Sequence, residues 1–126
     1  MVKVLHSSIA VRDLDASIAF YRDRLGFKLQ LRREVPASRI EIAFVGAPES
    51  EARIELIHET GRTIYPDRSR WDHLALEIED VEALIRKLKA EGVKIEEEPH
   101  ILSGTTTKRA LIRDPDGVWI ELAQST

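Results

Sequence analysis

Near its start the chain reads Val4-Leu-His-Ser-Ser-Ile-Ala-Val-Arg-Asp13, and 67 residues further along it reads Trp71-Asp-His-Leu-Ala-Leu-Glu-Ile-Glu-Asp80. Both stretches carry a histidine in third place, then largely alternate apolar with polar or small residues, and end in an aspartate. A period of two is typical of a half-buried strand, and aspartate is a good helix N-cap. We therefore interpret the chain as one strand–helix unit used twice.

The repeat continues to the end of each half. After one deleted residue in the second half, Gly26 aligns with Gly92 and the segment Ile54-Glu-Leu56 aligns with Ile120-Glu-Leu122. Apolar residues at helical spacing follow each aspartate, and a glycine stands where each helix should end. The sequence predicts an α+β fold in a single domain, made of two tandem βαβββ modules at about residues 1–60 and 71–126, joined by a linker at 61–70.

Turn residues divide the second half after its helix. We expect extended segments at residues 94–98, 108–113 and 118–123, with Asp114-Pro-Asp-Gly117 as a hairpin turn before the last of them. His100 follows Pro99 in a stretch that resembles a turn. We expect His100, like His58, to be a structural or surface residue.

Composition narrows the classes of function. The 126 residues are 43% hydrophobic and 33% charged, which is typical of a soluble globular domain. The net charge of −3 is spread along the chain, so no basic stripe is present for nucleic acid, and no apolar stretch approaches the roughly 20 residues of a membrane span. We expect a cytoplasmic protein. The absence of cysteine leaves His, Asp and Glu as the strong metal ligands.

Alternation assigns four duplicated polar residues to one face of their strands. The four are His6, Glu55, His73 and Glu121, and the aliphatic residues beside each of them need a helix to cover them. The four side chains should therefore point away from the helices, toward a concave face. Two imidazoles and two carboxylates suit a divalent ion such as Zn²⁺, Ni²⁺ or Co²⁺ and leave positions open for substrate.

Simpler interpretations exist for each residue alone. A lone strand histidine is more often a surface or hydrogen-bonded residue than a ligand, and a strand glutamate usually faces water. Duplication favours the metal site, because a solvated face has no reason to repeat His on the first strand and Glu on the last. Trp119 and Ile57 share the face of their neighbouring ligands and are predicted to line the pocket, with packing or a dimer contact as the alternative.

Several phrases carry a resemblance over essentially the whole chain. The chain resembles the vicinal oxygen chelate superfamily, and within it glyoxalase I, through the helix phrase from Asp13 to Gly26, through Ile54-Glu-Leu56, Asp72-His-Leu-Ala-Leu76, Ser103-Gly-Thr-Thr-Thr107 and Asp114-Pro-Asp-Gly-Val-Trp-Ile-Glu-Leu122. The resemblance implies the glyoxalase/bleomycin resistance/dioxygenase fold, in which the modules form an open, cupped mixed sheet. It also implies one divalent metal ion, bound by His6, Glu55, His73 and Glu121.

The activity implied by this resemblance is that of a metal-dependent lyase. It converts the hemithioacetal of a 2-oxoaldehyde and a thiol into a 2-hydroxyacyl thioester through an enediolate, and detoxifies methylglyoxal. Glu121 is the implied proton carrier, with Glu55 as the second catalytic candidate. A homodimer with the site at or near its interface is also implied. The alternatives are an epimerase or dioxygenase of the same superfamily, or a binding or resistance protein without catalysis.

Two positions depart from the glyoxalase I pattern. The resemblance predicts an arginine and an asparagine where this chain has Ala10 and Glu59, and both normally help to hold glutathione. Losing a guanidinium and gaining an acid should weaken binding of that anionic tripeptide. Arg32, Arg33, Arg39 and Lys108 are candidate replacement cations.

Overall fold

The structure is a computed structural model, and residues 1–125 are described. The chain divides into two compact units, Met1–Pro66 and the part from Asp67 onward. Each unit contains one four-stranded mixed sheet and one principal helix, in the order strand, helix, then three strands. The predicted α+β class and the two tandem βαβββ modules are confirmed.

The first module, hereafter module 1, contains strands β1 (His6–Ala10), β2 (Lys28–Val35), β3 (Ile40–Gly46) and β4 (Arg53–Glu59), and helix α1 (Leu14–Ala19). Its sheet order is β1-β4-β3-β2, with β1 parallel to β4 and the other pairs antiparallel. The core lies between this sheet and α1, where Leu14, Ile18 and Leu56 are buried.

The second module, hereafter module 2, contains strands β5 (His73–Glu77), β6 (Ile95–Ile101), β7 (Lys108–Arg113) and β8 (Trp119–Gln124), and helix α2 (Val81–Ala90). Its order, β5-β8-β7-β6, repeats that of module 1, again with one parallel pair between the first and last strands. Val81, Ile85 and Leu88 of α2 are buried, as are Ile120 and Leu122 of β8. One face of each sheet is thus covered by its helix, which leaves the other face for the predicted ligands.

Both helices begin as predicted. Asp13 accepts a hydrogen bond from the Ala16 backbone N–H, and Asp80 accepts one from Ala83, each at 3.0 Å. Gly26 and Gly92 have positive φ angles of 75° and 84°, the left-handed conformation expected just past a helix end.

Helix α1 differs from α2 in its last turn. Residues Phe20–Arg24 form a π-helical turn directly after α1, and within it Tyr21 is fully buried. No such turn follows α2 before Gly92. The π-helical turn falls between the aligned pairs Ile18/Ile85 and Gly26/Gly92, where module 1 has its one extra residue.

Two expectations about the strands are corrected. Strand β6 runs to Ile101, so His100 lies in a strand paired with Arg109 and not in a turn. Pro99 is tolerated there because β6 is an edge strand whose ladder shifts register between Glu97 and His100. In module 1, β1 begins only at His6, and Leu5 is 64% exposed instead of lying under the helix.

The other connections follow their turn residues. Asp114 accepts hydrogen bonds from the backbone N–H groups of Asp116 and Val118 at 2.8 and 2.9 Å, and Gly117 has φ 81°, so the predicted hairpin turn joins β7 to β8. The segment 61–70 contains neither helix nor strand. Among residues 1–125, no helix is long and apolar enough to span a membrane.

Candidate metal centre

His6 and Glu55 approach each other on the uncovered face of module 1. His6 is the first residue of β1, and Glu55 lies on the adjacent parallel strand β4. The distance from His6 Nε2 to Glu55 Oε1 is 3.6 Å. The imidazole and the Phe44 ring pack in a T-shaped arrangement, with centroids 5.1 Å apart, and the buried Nδ1 has no hydrogen-bond partner. The ring is therefore oriented by packing, with Nε2 toward the carboxylate.

His73 and Glu121 repeat this arrangement in module 2. His73 begins β5, Glu121 lies on the adjacent parallel strand β8, and His73 Nε2 is 3.8 Å from Glu121 Oε2. His73 Nδ1 lies 3.2 Å from the Trp71 backbone oxygen. A carbonyl oxygen only accepts, so Nδ1 must carry the proton in this contact. With Nδ1 engaged in this way, Nε2 is the ring nitrogen that faces the Glu121 carboxylate.

The distances fit a cation between the two donors better than a direct hydrogen bond. An N–H···O bond is about 2.7 to 3.2 Å long, shorter than either pair. Two atoms bound to one ion at about 2.1 Å lie about 3.0 Å apart at a right angle and about 3.4 Å apart at the tetrahedral angle. Small side-chain rotations would bring each His–Glu pair into that range. In His73 the Nδ1–H is also anchored to a carbonyl oxygen, which is the usual support of a metal-binding histidine. The residues present fit a divalent ion.

The predicted ligands thus occur as two pairs, one in each module. The structure brings His6 to Glu55 and His73 to Glu121. Across the described chain, no three His, Asp or Glu side chains group closely enough to hold an ion by themselves.

The two glutamates differ in what holds them. The Ser8 hydroxyl donates a short hydrogen bond of 2.7 Å to Glu55 Oε1. Glu121 has Ala75 at the corresponding place on β5, and its Oε2 is instead 3.5 Å from Nη1 of Arg109. Glu55 is therefore held firmly by a neutral donor, whereas Glu121 is held loosely by a cation.

Trp119 and Ile57 lie on the same faces as their neighbouring glutamates, as alternation predicted. The Trp119 indole N–H donates to the Arg68 backbone oxygen at 3.2 Å, and the Arg113 guanidinium stacks 4.6 Å from the ring centroid. Ile57 pairs with Ile42 across β3 and β4 and is half-buried. Trp119 is held by a hydrogen bond from its indole N–H and by a guanidinium over its ring, and Ile57 presents an apolar surface beside Glu55.

Ala10 and Glu59 end two adjacent parallel strands of module 1, so they lie at the same edge of the sheet. Of the candidate replacement cations, Arg32 is bound to Asp15 at 2.6 Å and to Glu41 at 3.0 Å. The two hydrogen bonds raise the pKa of Arg32, with Glu41 the larger cause. This arginine is therefore committed to joining α1 to the sheet.

Lys108 likewise joins a strand to a helix through an ion pair, here in module 2. Its Nζ is 3.3 Å from Glu82 in the first turn of α2. The ion pair ties β7 to the helix that covers the opposite face of the sheet. Lys108 therefore lies away from the face that carries His73 and Glu121.

Sequence reasoning missed Arg109, although a signal was present. On β7, Ala110 and Ile112 are buried against the helix, so alternation places Arg109 on the face of Glu121. The sequence repeat did not reveal this position. When the two halves are aligned so that Glu55 matches Glu121, Arg109 is aligned with Ala43, whose side chain lies on the other face of its strand. In the sheets, Arg109 pairs with Ala123 as Ile42 pairs with Ile57.

Comparison with known proteins agrees with the fold. Residues 3–122 match the model of the Glyoxalase/Bleomycin resistance protein/Dioxygenase superfamily. The chain belongs to this superfamily. The match includes all four predicted ligands and both modules.

Several relatives of the chain are named as lactoylglutathione lyases or probable lactoylglutathione lyases. A probable lactoylglutathione lyase of Synechocystis sp. is 40% identical, over 98% of this chain and 95% of the relative. A lactoylglutathione lyase of Haemophilus influenzae is 34% identical, over 98% and 93%. Among solved structures, the trypanothione-dependent glyoxalase I of Leishmania major is similar with a TM-score of 0.83 and 35% identity, over 98% of this chain and 87% of that one.

Proposed function

We propose that this chain is a metal-dependent lyase of the glyoxalase I type, in which His6, Glu55, His73 and Glu121 bind one divalent ion. The observation that carries the proposal is the duplicated His–Glu pair, with donor atoms 3.6 and 3.8 Å apart. Relatives named lactoylglutathione lyase cover nearly the full length of the chain, which supports the same activity. Ni²⁺, Co²⁺ and Zn²⁺ are the proposed ions.

The reaction moves one hydrogen between neighbouring carbons. The substrate is the hemithioacetal of a 2-oxoaldehyde, and the product is the isomeric 2-hydroxyacyl thioester, so no atom is gained or lost. When bound, the ion would supply Lewis-acid chemistry that lowers the barrier to removing the proton next to the substrate carbonyl. A carboxylate of the chain then takes the proton from the carbon that bears sulfur and returns it to the neighbouring carbon, while the hydroxyl proton passes from the oxygen of the first carbon to that of the second.

Glu121 is the proposed proton carrier, and Glu55 the second candidate. A proton carrier has to change position between two carbons, which suits the loosely held Glu121 better than Glu55 with its 2.7 Å bond from Ser8. Trp119 and Ile57 are proposed to line the space beside these carboxylates.

The thiol is a separate part of the proposal. Ala10 and Glu59 stand where glutathione contacts are expected, and the relatives differ in the thiol that their names give, glutathione or trypanothione. We propose that any thiol bound here is recognised without the two usual contacts at these positions.

The test is metal analysis of the purified protein, followed by stripping and reloading with Ni²⁺, Co²⁺ or Zn²⁺. Thioester formation is then measured from methylglyoxal with glutathione and with trypanothione. Metal-restored thioester formation is the expected result. Bound metal without product from either thiol would redirect the search to epimerase or dioxygenase substrates. Failure to bind any of the three ions would leave a binding protein and overturn the metal centre.

We also propose a homodimer with the metal centre at or near its interface. Large apolar side chains are strongly exposed in the single chain, among them Val4, Leu5, Ile64 and Trp71. Surfaces of this kind are commonly covered by a partner. Light scattering of the protein as it elutes from a size-exclusion column measures its molar mass and tests the dimer. A monomer at micromolar concentration would contradict it.

The proposed biological role is methylglyoxal detoxification in the cytoplasm. A deletion strain should be hypersensitive to added methylglyoxal, and cell fractionation should recover the protein with the cytoplasmic marker. Normal tolerance of methylglyoxal in the deletion strain would contradict this role.

A further inference from the structure

Arg109 lies beside Glu121 on the uncovered face of module 2. In the β7–β8 ladder Leu111 pairs with Glu121 and Arg109 pairs with Ala123, so Arg109 is one step along the same face. Its side chain is 18% exposed, and its Nη1 is 3.5 Å from Glu121 Oε2. Any ligand group that reaches this guanidinium therefore lies close to the proposed proton carrier.

The guanidinium of Arg109 is incompletely paired. Charge-assisted N–H···O bonds are usually about 2.7 to 2.9 Å long. The contacts of Arg109 with Glu121 and Glu97 are 3.5 and 3.7 Å, and its buried Nε has no hydrogen-bond partner. An N–H group buried without an acceptor is costly, so the side chain gains from an additional acceptor.

Glu97 does not depend on Arg109 for charge compensation. One of its oxygens is 3.3 Å from Arg70 Nη2, and the other is 3.2 Å from His100 Nε2. Both contacts are shorter than the one from Arg109. Glu97 is thus paired more closely with Arg70 and His100 than with Arg109, and the other carboxylate beside Arg109 is Glu121, at 3.5 Å.

The fold does not require a cation at this position. The equivalent residue of module 1 is Ile42, which pairs with Ile57 as Arg109 pairs with Ala123 and is buried. The same βαβββ architecture therefore forms with an aliphatic residue there. The small side chain of Ala123 also restricts the space beside the guanidinium less than an isoleucine would.

We propose that Arg109 binds a carboxylate carried by the 2-oxoaldehyde part of the substrate, a few bonds from the reacting carbons. This inference rests on the proposed function, because it takes Glu121 as the position of the reaction. The short distance from Arg109 to Glu121 favours the oxoaldehyde as the source of the carboxylate. In glutathione the carboxylates are separated from the sulfur by several bonds.

A pair of non-reacting ligands tests the proposal without turnover. 2-Oxoglutarate and 2-oxopentanoate have five carbons and the same vicinal oxygens, and they differ only in a terminal carboxylate or methyl group. Isothermal titration of the Ni²⁺-loaded protein should show 2-oxoglutarate binding about 10- to 100-fold more tightly, the value of one charged hydrogen-bonded contact. Arg109→Leu should remove this preference and leave the affinity for 2-oxopentanoate unchanged.

The control variant is Arg86→Leu, which removes an exposed arginine of α2 and the same formal charge. It should retain the preference, because long-range attraction between exposed charges is weakened by salt. Arg109→Lys should retain part of it, since a lysine supplies the charge without the planar pair of donors.

The outcomes separate this proposal from the proposed function. Equal affinities of the wild-type protein for the two ligands would overturn the carboxylate site alone. An equal loss of both affinities in Arg109→Leu would make Arg109 a positioning residue for Glu121 and also overturn it. If neither ligand bound to metal-loaded wild-type protein, the metal centre and this inference would fail together.

Turnover distinguishes the two sources of a carboxylate. With 4,5-dioxopentanoate, Arg109→Leu should lower kcat/KM by about 10-fold or more, equally with glutathione and with glutathione diethyl ester. With methylglyoxal the loss should be smaller, because only the contact of Arg109 with Glu121 is removed there. A loss seen with glutathione but not with its diester would place the bound carboxylate on the thiol and contradict the proposal.

Discussion

The two modules share their helix caps, their sheet order and their His–Glu pair, but they differ in the residues around the glutamate. In module 1, Glu55 receives a hydrogen bond from Ser8 and lies beside the apolar pair Ile42 and Ile57. In module 2, Glu121 lies beside Arg109 and Ala123, and no hydroxyl takes the place of Ser8.

This difference separates what the fold needs from what one site needs. The modules have in common their helix caps, residues that pack under a helix and the residues that face the proposed ion. The residues that differ lie one step away on the same face. Module 1 therefore offers a fixed carboxylate in apolar surroundings, and module 2 offers a looser carboxylate in charged surroundings.

The largest expected effect is on turnover. It is tested by replacing each of the two glutamates by glutamine in a separate variant. Glu121→Gln should lower kcat by about 10²- to 10⁴-fold, the usual range for a lost acid–base group, while metal remains bound. Glu55→Gln should mainly weaken metal binding, by at least roughly 10-fold. Steady-state kinetics and metal titration measure both. Substantial turnover by Glu121→Gln would remove the proposed division of roles.

The next effect concerns the cores, where the modules should respond alike. Leu56 and Leu122 are equivalent, and both are fully buried. Leu56→Ala and Leu122→Ala should each lower the free energy of unfolding by about 2 to 5 kcal/mol, because each leaves a cavity. Urea denaturation measures the change, and Leu31→Ala, at a residue that is 44% exposed, is the control. A change below about 1 kcal/mol for only one of the two would contradict equivalent packing.

The helix caps should give smaller and equal effects. Asp13 and Asp80 each accept one backbone hydrogen bond at 3.0 Å. Replacing either by alanine should destabilise the protein by about 1 kcal/mol, while asparagine, which keeps the acceptor, should cost little. Thermal unfolding of the four variants checks this. Unequal losses would show that the caps contribute differently despite their matching geometry.

The smallest effect is a pH dependence confined to module 1. The hydrogen bond from Arg32 lowers the pKa of Glu41 below its ordinary value of 4.5. The associated stability is present above that value and is lost as the pH falls through the lowered pKa. The difference in stability between the wild type and Glu41→Gln should therefore shrink below about pH 4.5. Glu34→Gln, on an exposed residue of β2, controls for the loss of one negative charge.

Much of the fold follows from periodicity in the sequence. The alternation around His73 and Glu121 predicted strands β5 and β8, and the spacing of Val81, Ile85 and Leu88 predicted α2. The end of β6 was missed, because Pro99 normally interrupts a strand. Only the sheet order shows that β6 is an edge strand, where proline is tolerated. The sequence of one strand does not show which other strands it pairs with in the sheet.

The candidate site shows the same limit. Strand faces predicted that each glutamate would share a side with its histidine, and the two pairs have that arrangement. The contacts of Ser8 and Arg109 depend on how the ladders pair, and the spacing of the repeat does not specify that pairing. The convergence of all four ligands on one ion remains a prediction.

The π-helical turn at Phe20–Arg24 lies where the helical segment of module 1 is one residue longer than that of module 2. A π turn closes its hydrogen bond over five residues in place of four, so it can hold one more residue than the α-helix around it. A residue gained or lost here leaves the flanking buried positions and the following glycine in place. In a strand, one additional residue would turn every following side chain to the opposite face of the sheet. In the helix, the π turn accommodates that residue within one turn. Duplicated halves can in this way differ in length while their ligands keep the same orientation.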